Sequence, residues 1–431
     1  MIDLKDLIDQ PERYEAACRV KGVQLDIAAL VTKKREQNRL AHERDELRHQ
    51  LNLGSEQGKP SAEQITQLRL VKEQIKTLED QLGTLEDEIV ELVLQIPNPP
   101  LADVPEGPDE SGNQVIRKWG EPTKFNFEPK DHLALGEALG IIDAERAAKV
   151  TGTRFAYLKG AAAWLEFALI RYTLDLVTSE ERLKPLAEAI SPGYPATPFV
   201  PVIPPVMIRP DVFMKMARLS AADKAERYHL QQDDRYLIGS AEHTLGAMHM
   251  DETLEEKQLP LRYLGFSTSF RREAGSYGKD THGILRVHQF DKLEMESFTV
   301  PEQGQAEQDF FVAIQEHLLQ GLKIPYQAVL LCTGDMGKPN ARQIDLECWL
   351  PGQNRYRETH SADFMTDYQA RRLNTRVRRK SGELQLVHMN DATAFAIGRT
   401  LIAILENYQQ ADGSVVVPEA LQKYVPLSVI R

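Results

Sequence analysis

Residues 270–294 read FRREAGSYGKDTHGILRVHQFDKLE, and this stretch carries more information than any other in the chain. Arg271 and Glu273 stand two apart, a glycine-rich turn follows, and Arg286, Phe290 and Glu294 come after it on an alternating run. Read as a β-hairpin, Gly275, Gly278 and Gly283 mark the turn, and the residues on either side can face one pocket. Two guanidinium groups suit phosphate oxygens, an aromatic ring suits a base, and a carboxylate suits an ammonium group. An anionic nucleotide beside an amino acid would satisfy all of them. Charged surface hairpins are common, so a second stretch is needed.

Residues 391–409 supply it: DATAFAIGRTLIAILENYQ. A short strand passes through Gly398-Arg399 into an amphipathic helix with Leu401, Ile402, Leu405 and Tyr408 on its apolar face. An Arg at the start of a buried helix is costly to desolvate without an anionic or π partner. Together the two stretches resemble motifs 2 and 3 of the class II aminoacyl-tRNA synthetases, and the wording is most similar to the seryl-tRNA synthetase family. Tyr236–His243 (YLIGSAEH), Leu331–Gly337 (LCTGDMG), Asp345–Leu350 (DLECWL) and Tyr356–Arg372 extend the resemblance in order, so that it covers essentially the whole chain.

Composition agrees with a cytoplasmic enzyme. A chain of 431 residues is too long for one ordinary core and predicts two units. Its 42% hydrophobic and 27% charged residues describe a globular protein, and no apolar run approaches the roughly 20 residues that a bilayer requires. The amphipathic N-terminus lacks a signal peptide's apolar core. Cys18, Cys332 and Cys348 are too scattered for a disulfide framework or a Cys-rich zinc site. A net charge of −12 argues against binding nucleic acid over the whole surface but not through a local patch.

Residues 65–96 provide that patch with a scaffold. Leu68, Val71, Ile75, Leu78, Leu82, Leu85, Ile89, Leu92 and Ile96 alternate steps of three and four, which is a coiled-coil seam in need of a partner. Residues 26–51 supply one through a thinner seam (Ile27, Leu40, Leu47, Leu51), with a turn at 52–61 and a Pro-rich exit at 97–108. The distal arm is basic through Lys33, Lys34, Arg35, Arg39, Arg44, Arg48, Lys59, Arg69, Lys72 and Lys76, whereas Glu79–Glu91 holds acids and no base. A solvated arm of mixed charge would look similar; the change of sign favours phosphate contact by the distal half. The resemblance implies that this arm binds tRNA(Ser), often across a homodimer.

The chain therefore reads as α+β, with an N-terminal antiparallel α-helical coiled-coil arm (about 26–96) within a tRNA-binding domain (1–108). A class II synthetase domain (109–431), built on an antiparallel β-sheet flanked by helices, follows. Ala162–Leu176 reads as a long helix and Phe199–Ile208 as a Pro-interrupted edge strand, in the place of the family's dimer-building motif 1. Residues 177–198 between them carry no evident function, and Val300–Pro325 reads mostly as a surface helix.

The resemblance implies roles residue by residue. Arg271, Arg286 and Arg399 would be catalytic, and Arg271, Arg272, Glu273, Arg286, Phe290, Glu358, Thr359, His360, Ser361 and Arg399 would bind ATP. Phe290 and Arg399 would sandwich the adenine; Glu358 and Ser361 would hold Mg²⁺ with the nucleotide, or Glu358 its ribose. Ser240, Ala241, Glu242, Arg271, Glu294, Asp391 and Thr393 would bind L-serine. The implied reaction forms seryl-adenylate and then charges tRNA(Ser), with no side-chain nucleophile. His243, His249, His282, His288 and His360 do not have metal-ligand spacing and read as local hydrogen-bonding residues.

Two departures fall by the amino-acid pocket. Ala362-Asp363-Phe364 stands where many relatives have a small residue and then Ser-Asn, and Asp391 stands in place of a usual Asn. Ser240 replaces a common Thr. His282 replaces a common Arg, for which Lys279 partly compensates. The added acids open an alternative: a paralogue that activates another small amino acid or charges a different acceptor.

Overall fold

The computed structural model of the chain describes residues 2–56, 61–274 and 283–431 and divides into two compact units, Met1–Pro99 and Pro100–Arg431. In the first, two short helices, α1 (Leu4–Asp9) and α2 (Pro11–Val20), precede the long helices α3 (Ile27–Glu56) and α4 (Ala62–Val93). Ser61 starts α4 with a reciprocal capping box to Gln64. The seam turns inward along its length: Ile75, Leu78, Leu82, Ile89 and Ile96 are buried, and Leu68, Val71, Leu85 and Leu92 are half-buried. Leu40, Leu78 and Leu82 form its centre, flanked by Ala41, Leu47 and Leu85. Lys33 pairs with Glu88 at 2.6 Å and Arg48 with Glu79 at 2.6 Å, which fixes the helices as antiparallel. The acidic stretch is thus partly a counter-charge to the facing helix. Lys59 lies outside the described residues.

The second unit is built on eight strands: β1 (Gln114–Trp119), β2 (Val200–Val202), β3 (Leu261–Phe270), β4 (Gln289–Thr299), β5 (Tyr326–Leu330), β6 (Arg342–Leu350), β7 (Arg355–Phe364) and β8 (His388–Ala396). Their order in the sheet is β1-β5-β6-β7-β8-β4-β3-β2. Every neighbouring pair is antiparallel except β2 with β3, which run parallel at the edge. Residues 100–108 belong to this unit rather than to the arm, because Val104 packs with Val329, Leu331 and Met336.

Helix α5 (Ala161–Val177) fills the predicted span. The edge strand is shorter than expected. Pro201 is tolerated in β2, whereas Met207–Ile208 lies beyond Pro204-Pro205 and pairs with Tyr236 and Leu237 in a separate small sheet. Residues 177–198 contain helix α6 (Glu180–Ile190), started by Ser179. The turn after it is tied to the core by Arg262, whose guanidinium donates to the carbonyls of Pro195 and Thr197. Helix α7 (Gly304–Gly321) is not a surface helix: Phe310, Phe311, Val312, Ile314, Leu318 and Leu319 are all buried against the sheet. Its amphipathic pattern is polar on the buried side as well, since Gln308 and Gln315 donate to sheet carbonyls of Arg342, Ala362, Ser361 and Thr393. Helix α8 (Ile397–Asn407) begins one residue before Gly398-Arg399, so that both lie in its first turn.

Candidate active site

Strands β4, β6, β7 and β8 and the first turn of α8 line one side of a cavity of about 330 Å³. Arg271, Arg286 and Arg399 all line it, together with Glu273, Phe290, Glu358, Thr359, Ser361, Glu242 and Thr393. The three guanidinium groups come from positions up to 128 residues apart (399 minus 271) and meet at one cleft.

Each is held from behind. Arg271 follows β3, and its backbone N–H donates to His288, continuing the ladder past the strand ends. Its Nε donates to the carbonyl of Gly239 at 3.1 Å, and its guanidinium lies over the Phe290 ring at 5.4 Å. Arg399, expected to sandwich the adenine with Phe290, lines the same cleft as that ring and pairs with Glu358 at 3.0 Å. Arg286 meets Glu273 at 3.4 Å, and Glu273 holds a left-handed φ of 51°. Gly283 also has a positive φ, 78°. Gly275, Gly278, Lys279 and His282 lie outside the described residues.

Two bulges shape the wall. The β6–β7 register skips Thr359, and the β4–β8 register skips Ala394. Such extra residues re-aim side chains beside sites, and here they flank Glu358, Ser361 and Thr393. Ser361 Oγ and Thr393 Oγ1 are 3.2 Å apart. Asp345 stands opposite Ser361 and also lines the cleft; burial, then the charges of Glu358 and Asp363, push its carboxyl well above the usual range. Hard carboxylate oxygens in negative surplus fit a divalent cation such as Mg²⁺.

One end of the cleft is acidic. Glu242, Glu294 and Asp391 place carboxylate oxygens within 4.8 Å of one another. Burial pushes the Glu294 carboxyl up to about 7, although Lys292 lies 2.6 Å away. Burial would also raise Glu242, but Arg218, His243 and Lys292 together hold it well below the usual range. Asp391 is raised well above by burial and by Glu242 and Asp363. Asp363 lines the cavity, whereas Asp391 lies beneath it, 2% exposed.

Not every expected residue reaches the cleft. Arg272 is exposed and outside the lining. His360 is buried beside Phe395 and bonded to Thr359, with its imidazole pushed down to about 3 by burial. Ser240, Ala241, Glu294 and Asp391 form the layer beneath, with the Ser240 hydroxyl accepting from Lys292 at 3.2 Å. Gly265 lets this layer close: a Cβ there would come within 2.6 Å of Leu245 and 2.9 Å of Ala241.

Sequence reasoning missed Arg218, Lys292 and Asp345. Lys292 sits midway between Phe290 and Glu294 at the period of two, so the alternation itself signals it. Asp345 opens a segment already singled out. Arg218 follows Ala217, whose left-handed φ of 57° swings the chain inward, and nothing local announces it.

Comparison with known proteins agrees with this geometry. A model of the class II tRNA synthetase core domain (G, H, P, S and T) matches residues 226–408, which puts the sheet and its cleft in the class II aminoacyl-tRNA synthetases. A model of the seryl-tRNA synthetase N-terminal domain matches residues 1–100. The serine–tRNA ligase of Acidothermus cellulolyticus is 43% identical, over 100% of this chain and 99% of its own; that of Dictyoglomus turgidum is 39% identical over the same shares. The seryl-tRNA synthetase of Pyrococcus horikoshii, solved in complex with ATP, superposes with a TM-score of 0.86 at 36% identity, covering 100% of this chain and 99% of that one. The chain belongs to the seryl-tRNA synthetase family, the ATP-dependent serine–tRNA ligases. Among the described residues, no helix is long and apolar enough to cross a membrane.

Proposed function

We propose that the cleft joins L-serine to the α-phosphate of ATP and passes the seryl group to tRNA(Ser). The observation that carries this reading is the convergence of Arg271, Arg286 and Arg399 on one cavity whose other end is acidic. Arg271 would neutralise charge on the α-phosphate and the attacking carboxylate, Arg286 would hold the outer phosphates, and Phe290 would stack on adenine. Glu273 would accept from the adenine amino group. Glu358 and Ser361 would hold Mg²⁺, which supplies charge neutralisation on the phosphates when bound. Glu242 lines the cavity and meets the serine ammonium, with Glu294 behind it; Thr393 takes the hydroxyl. Rate would come from positioning and charge rather than from a nucleophile of the protein.

The arm would grip tRNA through its exposed bases. Arg35, Arg69, Lys72 and Lys76 are exposed, whereas Lys33, Arg39, Arg44 and Arg48 are engaged by Glu88, Glu36, Asp45 and Glu79 and would have to exchange partners. A homodimer would cover the apolar face of α5, where Trp164 and Phe167 are 47% and 61% exposed. Amino-acid-dependent ATP–pyrophosphate exchange tests the reading. Exchange with serine, and with no other small amino acid at comparable concentration, supports it; a preference for a different amino acid supports the paralogue that Asp363 and Asp391 raise.

A further inference from the structure

We propose that Arg218 determines specificity at the amino-acid end of the cleft, neutralising Asp363 and Asp391 so that the pocket accepts a neutral hydroxyl side chain and rejects a cationic one. The proposal rests on the reading of this cleft as the serine-activating site.

Arg218 lines the cavity and is forked among three acids. Its Nε is 3.0 Å from Glu242 Oε1, and one terminal nitrogen, Nη2, is 3.5 Å from Asp363 Oδ2 and 3.4 Å from Asp391 Oδ2. The two aspartates face each other across β7 and β8 in direct register, so a single guanidinium spans both strands. Five carboxylates gather here, Glu242, Glu294, Glu296, Asp363 and Asp391, with Glu296 opposite Asp391 in register. Lys292 is committed to Glu294 at 2.6 Å and to Ser240 at 3.2 Å. Among the described residues, Arg218 is thus the cation that the structure pairs with the two aspartates.

Charges this close and this dry interact strongly, and the sign of the local field decides which side chain is welcome. Serine carries a hydroxyl; 2,3-diaminopropionate has the same shape with an ammonium in that place. With Arg218 present, the second ammonium meets a pair of aspartates already satisfied and a guanidinium of like charge. Without it, the same aspartates become an attractive site for that ammonium. Serine would lose the fixed orientation of Glu242, and its binding would weaken.

Exchange assays with the full-length protein at near-neutral pH, with serine or 2,3-diaminopropionate varied at saturating ATP and ATP varied at saturating serine, test this. Arg218→Gln is expected to raise the serine KM at least about 10-fold while kcat and the ATP KM move less than about 3-fold. The kcat/KM ratio of serine to 2,3-diaminopropionate should fall at least about 10-fold, and adding Asp363→Asn and Asp391→Asn should bring it back. An unmoved ratio, or equal losses with both amino acids, would show that Arg218 only supports the fold and overturn the proposal. If Arg218→Gln does not fold, Asp363→Asn with Asp391→Asn beside the natural Arg218 decides instead. Its surplus positive charge should shift the ratio further toward serine, and no shift overturns the proposal. Absence of serine-dependent exchange in the unaltered protein would overturn the cleft's assignment as well, whereas exchange with a fixed ratio overturns the role of Arg218 alone.

Discussion

Replacing Glu307 by Met should destabilise the larger unit by about 3–5 kcal/mol, the usual cost of leaving a buried charge without its partner. Arg262, on β3, and Glu307, on α7, have fully buried side chains joined by two contacts of 2.7 Å. Arg262 also donates to Pro195 and Thr197 at 2.9 and 3.0 Å and lies over the Phe310 ring at 4.3 Å, while the Tyr194 hydroxyl donates to Glu307 at 2.5 Å. Arg262→Met should cost at least as much, because it orphans the carboxylate and two carbonyls. The double variant leaves no buried charge, only unsatisfied polar groups at about 1–3 kcal/mol each. Its cost should therefore fall short of the sum of the singles by at least about 2 kcal/mol. Urea unfolding followed by tryptophan fluorescence isolates the relevant unit, since Trp119, Trp164 and Trp349 all lie beyond residue 100. Protein concentration should be held fixed. Additivity within about 0.5 kcal/mol would refute the buried pair as the tie between the 177–198 segment and the core.

Further outcomes are expected. Arg271→Ala and Arg399→Ala should each lower kcat/KM for exchange by about 10²–10³-fold, as removal of a charge-stabilising group does. A loss below about 5-fold in either would separate that residue from the reacting phosphate. Glu166, beside Asp291, is raised from 4.5 to about 8 by burial and by the neighbouring carboxylate. It binds a proton in the folded form that the unfolded form releases, so its contribution is complete below pH 4.5 and is lost as pH rises toward 8. Glu166→Gln should flatten that decline in a melting series from pH 5 to 9; an unchanged slope would contradict it. Arg69→Glu with Lys72→Glu should weaken tRNA aminoacylation and its salt dependence while leaving amino-acid-dependent exchange within about 2-fold. Equal loss of both reactions would remove the arm from tRNA binding.

Much of the architecture was legible because its signals are periodic. The seam from Leu68 to Ile96 specifies an arm helix by spacing alone, and every one of its positions turns inward. The hairpin limbs and the strand-to-helix passage at Gly398-Arg399 are local patterns, and they lead to the three arginines in the cleft. What escaped depends on contacts made far along the chain. Helix α7 looked like a surface element because Gln308 and Gln315 are polar; their burial is explained only by carbonyls on β6, β7 and β8. The 177–198 segment is joined to the core by contacts far along the chain, through Arg262, some 70 residues on, and through Tyr194 to Glu307. Arg218 is invisible locally, since its partners Glu242, Asp363 and Asp391 come from three other places in the sequence. His360 failed for a different reason: within β7 its neighbours Glu358 and Ser361 face the cleft, but the bulge at Thr359 changes the alternation.

The most direct measurement is a crystal structure with a non-hydrolysable seryl-adenylate analogue. Adenine should lie against Phe290, the phosphate analogue within hydrogen-bonding distance of Arg271, and the seryl ammonium at Glu242. An analogue seated elsewhere, or with its phosphate group turned away from Arg271, would contradict it.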